Sequence, residues 1–231
     1  MNRNSEFAYT FGDLAGIIKF SIVAQGIAGL FLIWFFILPN IGESVDLGNV
    51  IYFFISLLAL LGGAVFFLVL MFIFSASLKK LKRFRKSFGI LSVFGCIACV
   101  LPVAGSFYLA GVSNSYIMYI VSAMIGMAIL AIKPVYYELM RREVSERVSP
   151  EYASRWRNLL IIDFAFILLC AVAYVFFIMQ DMVLNSGGAE QHQQVSLRVT
   201  LTITALIAAA VLYCVRLAVE YRTTSVTADI L

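Results

Sequence analysis

Few residues in this chain place a reactive or ionisable side chain inside an otherwise apolar run, and Asp163 and Arg216 stand out among them. A charge in such a run is costly unless it is paired, hydrated or put to use. Asp163 lies five residues past Asn158, or ~7 Å along a helix rising ~1.5 Å per residue. Arg216 near the end of the last run and Lys19 near the start of the first sit at similar depth. A pair between Asp163 and Arg216 on neighbouring helices is geometrically reasonable. Two roles are open. Asp163 is a protonatable group or gate at the inner mouth of a pathway, or the pair is structural, with Arg216 and Lys19 reaching their charged heads to the interface.

Gln25 occupies the middle of the first run, one turn from Ser21 and Gly29. A glutamine there calls for an interhelical hydrogen bond or a watered cavity. Pro102 interrupts the third run near Gly95, Gly105 and Ser106, and its missing N–H and ring clash bend a helix. Such breaks serve transporters as hinges or as openings of backbone toward a cavity. Gln25, Pro102, Asp163 and Arg216 are therefore the candidate substrate-pathway residues. Gly62-Gly63 and the Ser122-x-x-x-Gly126 spacing suggest close helix packing.

Other chemistry is excluded. The only histidine, His192, falls outside the apolar runs, so neither haem ligation within a bundle nor a His-based metal site is expected. Cys96-x-x-Cys99 has redox or metal spacing but lies in an apolar helix without further ligands, and reads as structural. All four cysteines fall inside apolar runs, which rules out a disulfide framework in an exposed loop. No nucleophile elbow, phosphate-binding loop, dinucleotide fingerprint or potassium-channel filter occurs. No enzyme, cofactor or metal is expected.

The elements that must position these residues are long. Of 231 residues, 62% are hydrophobic and 13% charged, against roughly a quarter charged in soluble domains. That much apolar surface has to face lipid. Six runs approach the ~20 apolar residues that cross a bilayer: about 17–38, 50–74, 89–109, 116–132, 159–179 and 200–219. The prediction is an all-α polytopic membrane protein, a single six-helix domain over 1–231 in which the first span is retained rather than cleaved as a signal.

Charge sets the orientation. The second connection carries Lys79, Lys80, Lys82, Arg83, Arg85 and Lys86, and the fourth Lys133, Arg141, Arg142, Arg147, Arg155 and Arg157. The opposite face holds Glu43, Asp46, Asp181 and Glu190 with one basic residue, Arg198. The positive-inside rule then puts both termini and both basic connections in the cytoplasm. The net charge of +4 belongs to this asymmetry rather than to nucleic-acid binding. The absence of an Asn-x-Ser/Thr sequon and the compact form fit a bacterial inner membrane.

The segment from Pro134 to Asn158 promises the most local structure. Glu138/Arg142, Glu143/Arg147 and Glu151/Arg155 are acid-first pairs spaced by four. Ser149-Pro150-Glu151 has the form of a helix start, with Ser as cap and Pro at the first helical position. Two short cytoplasmic helices broken near Ser149 are expected, the second running into the fifth span. Leu139, Val144 and Tyr152 are placed to rest in the interface.

Arg147-Val-Ser-Pro150-Glu151-Tyr152-Ala-Ser-Arg155 resembles the cytoplasmic connection before the fifth helix in one six-helix half of major facilitator superfamily transporters. The basic run Lys79–Lys86 before Gly89 is similar in position to that family's motif between the second and third helices. Ser77-Leu78-Lys79-Lys80 lacks the Gly and Asp of that motif. The resemblance implies a transporter moving a small solute. Since the family has two halves with substrate between them, a single half implies a homodimer with its two-fold axis along the membrane normal. Two other functions fit the sequence: a non-transporting assembly, regulatory or accessory subunit docking a partner protein through the basic loops, or the substrate-binding subunit of a multi-protein uptake system.

Overall fold

The computed structural model describes residues 3–37, 62, 65–109, 115–184 and 191–231, with side chains described for 5–27, 62, 65–105, 117–179 and 200–231. Every described element is helical: α1 Arg3–Ile37, α2 over residues 65–77, a 3-10 helix Leu78–Arg83, α3 Lys86–Leu109, α4 Ser115–Leu130, α5 Ile132–Arg147, α6 Pro150–Leu184 and α7 Gln191–Ile230. Among the described residues, five stretches are long and apolar enough to cross a membrane: Ser5–Ile27, Lys86–Gly105, Ile117–Arg147, Pro150–Met179 and Thr200–Ile230. Their outward surface matches. On α6, Ile161, Phe164, Leu168, Val172, Val175 and Met179 recur at helical spacing and are all exposed. An apolar stripe of that length is ordinary against lipid and anomalous against water. This is the pattern of a multi-pass membrane protein.

Most of the predicted second span, 50–74, and the predicted outer turn 40–49 lie outside the described residues, as do 110–114 and 185–190. The predicted spans 89–109, 159–179 and 200–219 lie inside single helices that overrun them, 116–132 crosses the break between α4 and α5, and 17–38 is described as far as Ile37. The first helix begins fourteen residues before 17, because Phe7, Phe11, Leu14 and Ile18 extend one buried face back through the polar N-terminal segment.

The chain divides into two compact units. One comprises Met1–Leu101 with Thr224–Leu231, the other Pro102–Thr223. In the first, the buried face of α1 meets the 3-10 helix and Phe84 at its end. Phe7 stacks on Phe11 at 6.1 Å and meets the Phe84 ring edge-on at 5.0 Å. Leu78 and Leu81, three residues apart and so aligned on a 3-10 helix, point inward, while Lys79, Lys80, Lys82 and Arg83 stay exposed. Leu70, Met71 and Phe74 of α2 and Phe88 and Leu91 of α3 are also buried in this unit. Burying a phenylalanine such as Phe7 or Phe11 away from water contributes about 1.5–3 kcal/mol.

In the second unit, α4 and α5 form one helical path broken at Ala131. Pro134 explains the break: it has no N–H for the Leu130 carbonyl, and its ring crowds that turn. The ladder resumes on either side, with Ala131 N–H donating to Met127 O at 2.9 Å and Val135 N–H to Ala131 O at 3.4 Å. The expected short helix is thus a continuation of the fourth span. It is also not interfacial. Lys133, Tyr136, Tyr137, Met140 and Val144 form one helical stripe, buried in protein against α6 together with Leu139. Leu139 and Val144 therefore do not rest in a lipid interface, whereas Tyr152 is half-exposed.

The break near Ser149 and the helix start at Pro150 agree with expectation. The Ser149 side chain does not cap, since its hydroxyl makes no hydrogen bond; its carbonyl accepts from Ala153 N–H at 3.3 Å. Glu138–Arg142 and Glu143–Arg147 pair at 2.7 and 2.8 Å. Glu138 also holds Arg141 through two hydrogen bonds. Glu151–Arg155 does not pair; Arg155 lies over the Tyr152 ring at 5.8 Å. An exposed pair of that kind gains little over solvation.

Among the described residues, the close glycine contact between α-helices falls at Gly105 rather than at the glycines expected. A methyl at Gly105 would overlap the Ile125 δ-methyl, so α3 and α4 approach closely there. A methyl at Gly62 or Gly126 would meet no described atom within 4 Å. Those two glycines do not form packing seams with described residues.

Candidate functional site

Three helices of the second unit deliver four charges to one buried place. α7 carries Thr202, Ala205, Ala209, Arg216 and Glu220 along its buried face. On α6, Trp156, Leu159 and Asp163 follow one another at spacings of three and four, all fully buried. On α5, Lys133 opens the buried stripe just before Pro134. Helical phase thus brings a carboxylate and a guanidinium face to face. Arg216 Nη1 donates to Asp163 Oδ1 at 2.6 Å, with side-chain exposures of 5% and 0%. Beside them Lys133 Nζ donates to Glu220 Oε1, with exposures of 3% and 0%. Lys133 interacts electrostatically with Arg216 and Asp163 as well as with Glu220, so the two pairs form one cluster, balanced in charge.

Aromatic rings wall the cluster. The Arg216 guanidinium lies 4.8 Å from the Tyr213 ring and 5.2 Å from Phe166, and these two rings are 5.4 Å apart. Lys133 stands 6.0 Å over Tyr137. Tyr136 and Tyr137 pack on Trp156 at 5.7 and 6.2 Å, locking α5 to α6. Cation–ring contacts of this sort are strongest where water is excluded.

The pairing is incomplete. Asp163 Oδ2, Arg216 Nε and Glu220 Oε2 are buried without a hydrogen-bond partner. The Tyr137 hydroxyl is beside Glu220 but falls outside hydrogen-bond geometry. A buried ion pair stabilises only when its remaining donors and acceptors are also met. Three open valences leave this cluster able to take a proton, a water or a polar solute, or to re-pair.

The pathway candidates divide accordingly. Asp163 and Arg216 are brought together, and the Arg216 head is buried rather than extended to an interface. Gln25 belongs to the first unit and is buried. Its side-chain amide donates to Ser21 Oγ at 3.1 Å, one turn away on its own helix. Pro102 is half-buried within an uninterrupted α3 and is the first residue of the second unit. Cys96 is half-buried and Cys99 buried, both free thiols. Among the described residues, no three of His, Cys, Asp and Glu converge on a point.

Sequence reading missed half of the cluster. Lys133 reads as one more orienting cation of the fourth connection, and nothing in the apolar pattern singles out Glu220. One signal was available: Arg216 and Glu220 are four apart, hence on one face of a helix, and a glutamate in register with a buried arginine points into the same contact.

The basic run forms a second feature, in the first unit. Arg83 binds Glu6 and the Thr10 hydroxyl, and Lys80 reaches Asp13 at 3.8 Å. Between α1 and this run lies an open cleft of about 850 Å³, lined by Tyr9, Thr10 and Asp13 and by Lys79, Lys80, Lys82, Arg83, Phe84 and Lys86. Arg85 links the 3-10 helix to α3 and is half-exposed. No protein-family model, curated protein or solved structure matches the chain.

Proposed function

We propose that this is a transporter-like membrane protein of six spans with both termini cytoplasmic, built like one half of a major facilitator superfamily transporter and moving a small solute as a homodimer. The cluster of Lys133, Asp163, Arg216 and Glu220 is its cytoplasmic gate. One observation carries the reading: two ion pairs buried among apolar helices, with three polar atoms unmet. Ionisable groups at such positions are rare and mark solute pathways or proton relays. A charge-balanced set can exchange partners at little net electrostatic cost, which suits two alternating arrangements.

The basic cleft favours a second reading, an accessory subunit that binds a partner protein there. Native mass measurement of the protein extracted gently from its own membrane separates the two. A homodimer that retains a small molecule supports the transporter reading. A stoichiometric complex with a different protein, or a monomer throughout, overturns it.

A further inference from the structure

We propose that the cleft between α1 and the basic run is a binding site for the phosphate headgroup of an anionic phospholipid, held by Lys79, Lys82 and Lys86. The site lies apart from the proposed gate and stands whether or not the protein moves a solute. Five cationic side chains line the cleft. Arg83 is taken up by Glu6 and Lys80 by Asp13, both about half-exposed pairs. Lys79, Lys82 and Lys86 have no acidic partner among the described residues. A run needed only to orient the chain has no reason to be fixed along an open cleft. This run is: its 3-10 helix buries Leu78 and Leu81, Arg83 is tied to Glu6 and Thr10, and the Lys82 stem lies against Gly89 so closely that a methyl there would come within 2.8 Å of it. The volume, about 850 Å³, suits a headgroup.

The neighbouring surface distinguishes a lipid from a free phosphate compound. On α3, Lys86, Ile90, Val93 and Ile97 fall on one helical face, and all are exposed; Ile90 is 71% exposed. A cation at the head of an apolar stripe matches a phosphate at the head of an acyl chain. Tyr9, 69% exposed and lining the cleft, offers a ring and a hydroxyl at the same level. A soluble phosphate would make no use of the stripe. Basic clusters beside membrane helices bind anionic lipids through charge, each Lys or Arg contributing about fivefold in affinity.

The test is a titration of the full chain in neutral detergent, read by native mass spectrometry. The probes are dioctanoyl phosphatidylglycerol, dioctanoyl phosphatidylcholine and glycerol 1-phosphate. Phosphatidylglycerol is expected to bind clearly more tightly than the other two. Lys79→Gln, Lys82→Gln and Lys86→Gln should each weaken it about fivefold. Arg155→Gln with Arg157→Gln and Arg222→Gln, which removes three charges elsewhere against one in each lysine variant, should leave it unchanged. Equal binding of phosphatidylcholine, equal loss in that control variant or no loss in the three lysine variants would overturn the proposal. Glycerol 1-phosphate binding as tightly as the lipid would overturn the lipid assignment in favour of a soluble phosphate ligand. The single variants lie at exposed positions and keep the measurement independent of folding.

Discussion

Asp163 and Arg216 meet at 2.6 Å although 53 residues separate them, and neither side chain is more than 5% exposed. Among the described residues, Glu220 is the other carboxylate that bears directly on Arg216, and Lys133 the cation that balances it. Cutting one member therefore leaves a net charge inside the cluster, while cutting an opposite pair does not.

The energetic consequence is asymmetric. Asp163→Asn should cost about 3–5 kcal/mol, the usual penalty for orphaning a buried charge, tempered as Arg216 leans on Glu220. Asp163→Asn with Arg216→Met should cost less than Asp163→Asn alone, because no unpaired ion remains. Thermal unfolding in detergent measures both. A double variant as unstable as the summed singles would show that the pair is not coupled.

Cys170 reports on whether the cluster opens. It is half-buried on α6, two turns beyond Asp163. With Cys96, Cys99 and Cys214 replaced by Ala, a membrane-impermeant maleimide should label Cys170 slowly in the parent and faster once Asp163→Asn breaks the pair. Equal rates in both would assign the pair a static role.

Trp156 joins α5 to α6 through Tyr136 and Tyr137 and is fully buried. Trp156→Ala should destabilise by about 3–5 kcal/mol, as aromatic deletions in cores do. Trp156→Phe keeps a ring between the tyrosines and should lose less. Denaturation midpoints of the two variants check the order.

Close approach at Gly105 gives a complementary test. Gly105→Ala crowds the Ile125 δ-methyl, the far end of a side chain that can turn aside, and should cost at most about 1 kcal/mol. Ile125→Val removes that methyl and should restore most of the loss in the double variant. Gly126→Ala meets no described neighbour and should be close to neutral or stabilising. Melting curves for the set discriminate.

Two kinds of contact hold the N-terminal helix, and they differ in weight. The Glu6–Arg83 pair is exposed on both sides and should contribute at most about 1 kcal/mol, fading with salt. Phe7 is fully buried against Phe11 and Phe84, and Phe7→Ala should cost about 3–5 kcal/mol. Limited proteolysis of the first twenty residues should accelerate strongly for Phe7→Ala and little for Glu6→Gln.

Much of the fold could be read along the chain because the bilayer makes a local demand. A run such as 159–179 has to be apolar throughout, and that shows in any window of the sequence. The helix start at Pro150, the Glu138/Arg142 and Glu143/Arg147 pairs and the register that lets Asp163 face Arg216 are likewise set over a few residues. The features that stayed hidden depend on azimuth and on distant neighbours. Lys133 looks the same in sequence whether it flanks a span or lies buried against Glu220, 87 residues away. Gly105 and Gly126 are alike until the Ile125 side chain of α4 is found against Gly105 of α3. The polar N-terminal segment shows no buried face until Phe7, stacked on Phe11, meets Phe84. Charge spacing could place Asp163 and Arg216 within reach of each other, but the folded chain brought Lys133 and Glu220 to them, because pairing in a buried cluster follows three-dimensional neighbours rather than composition.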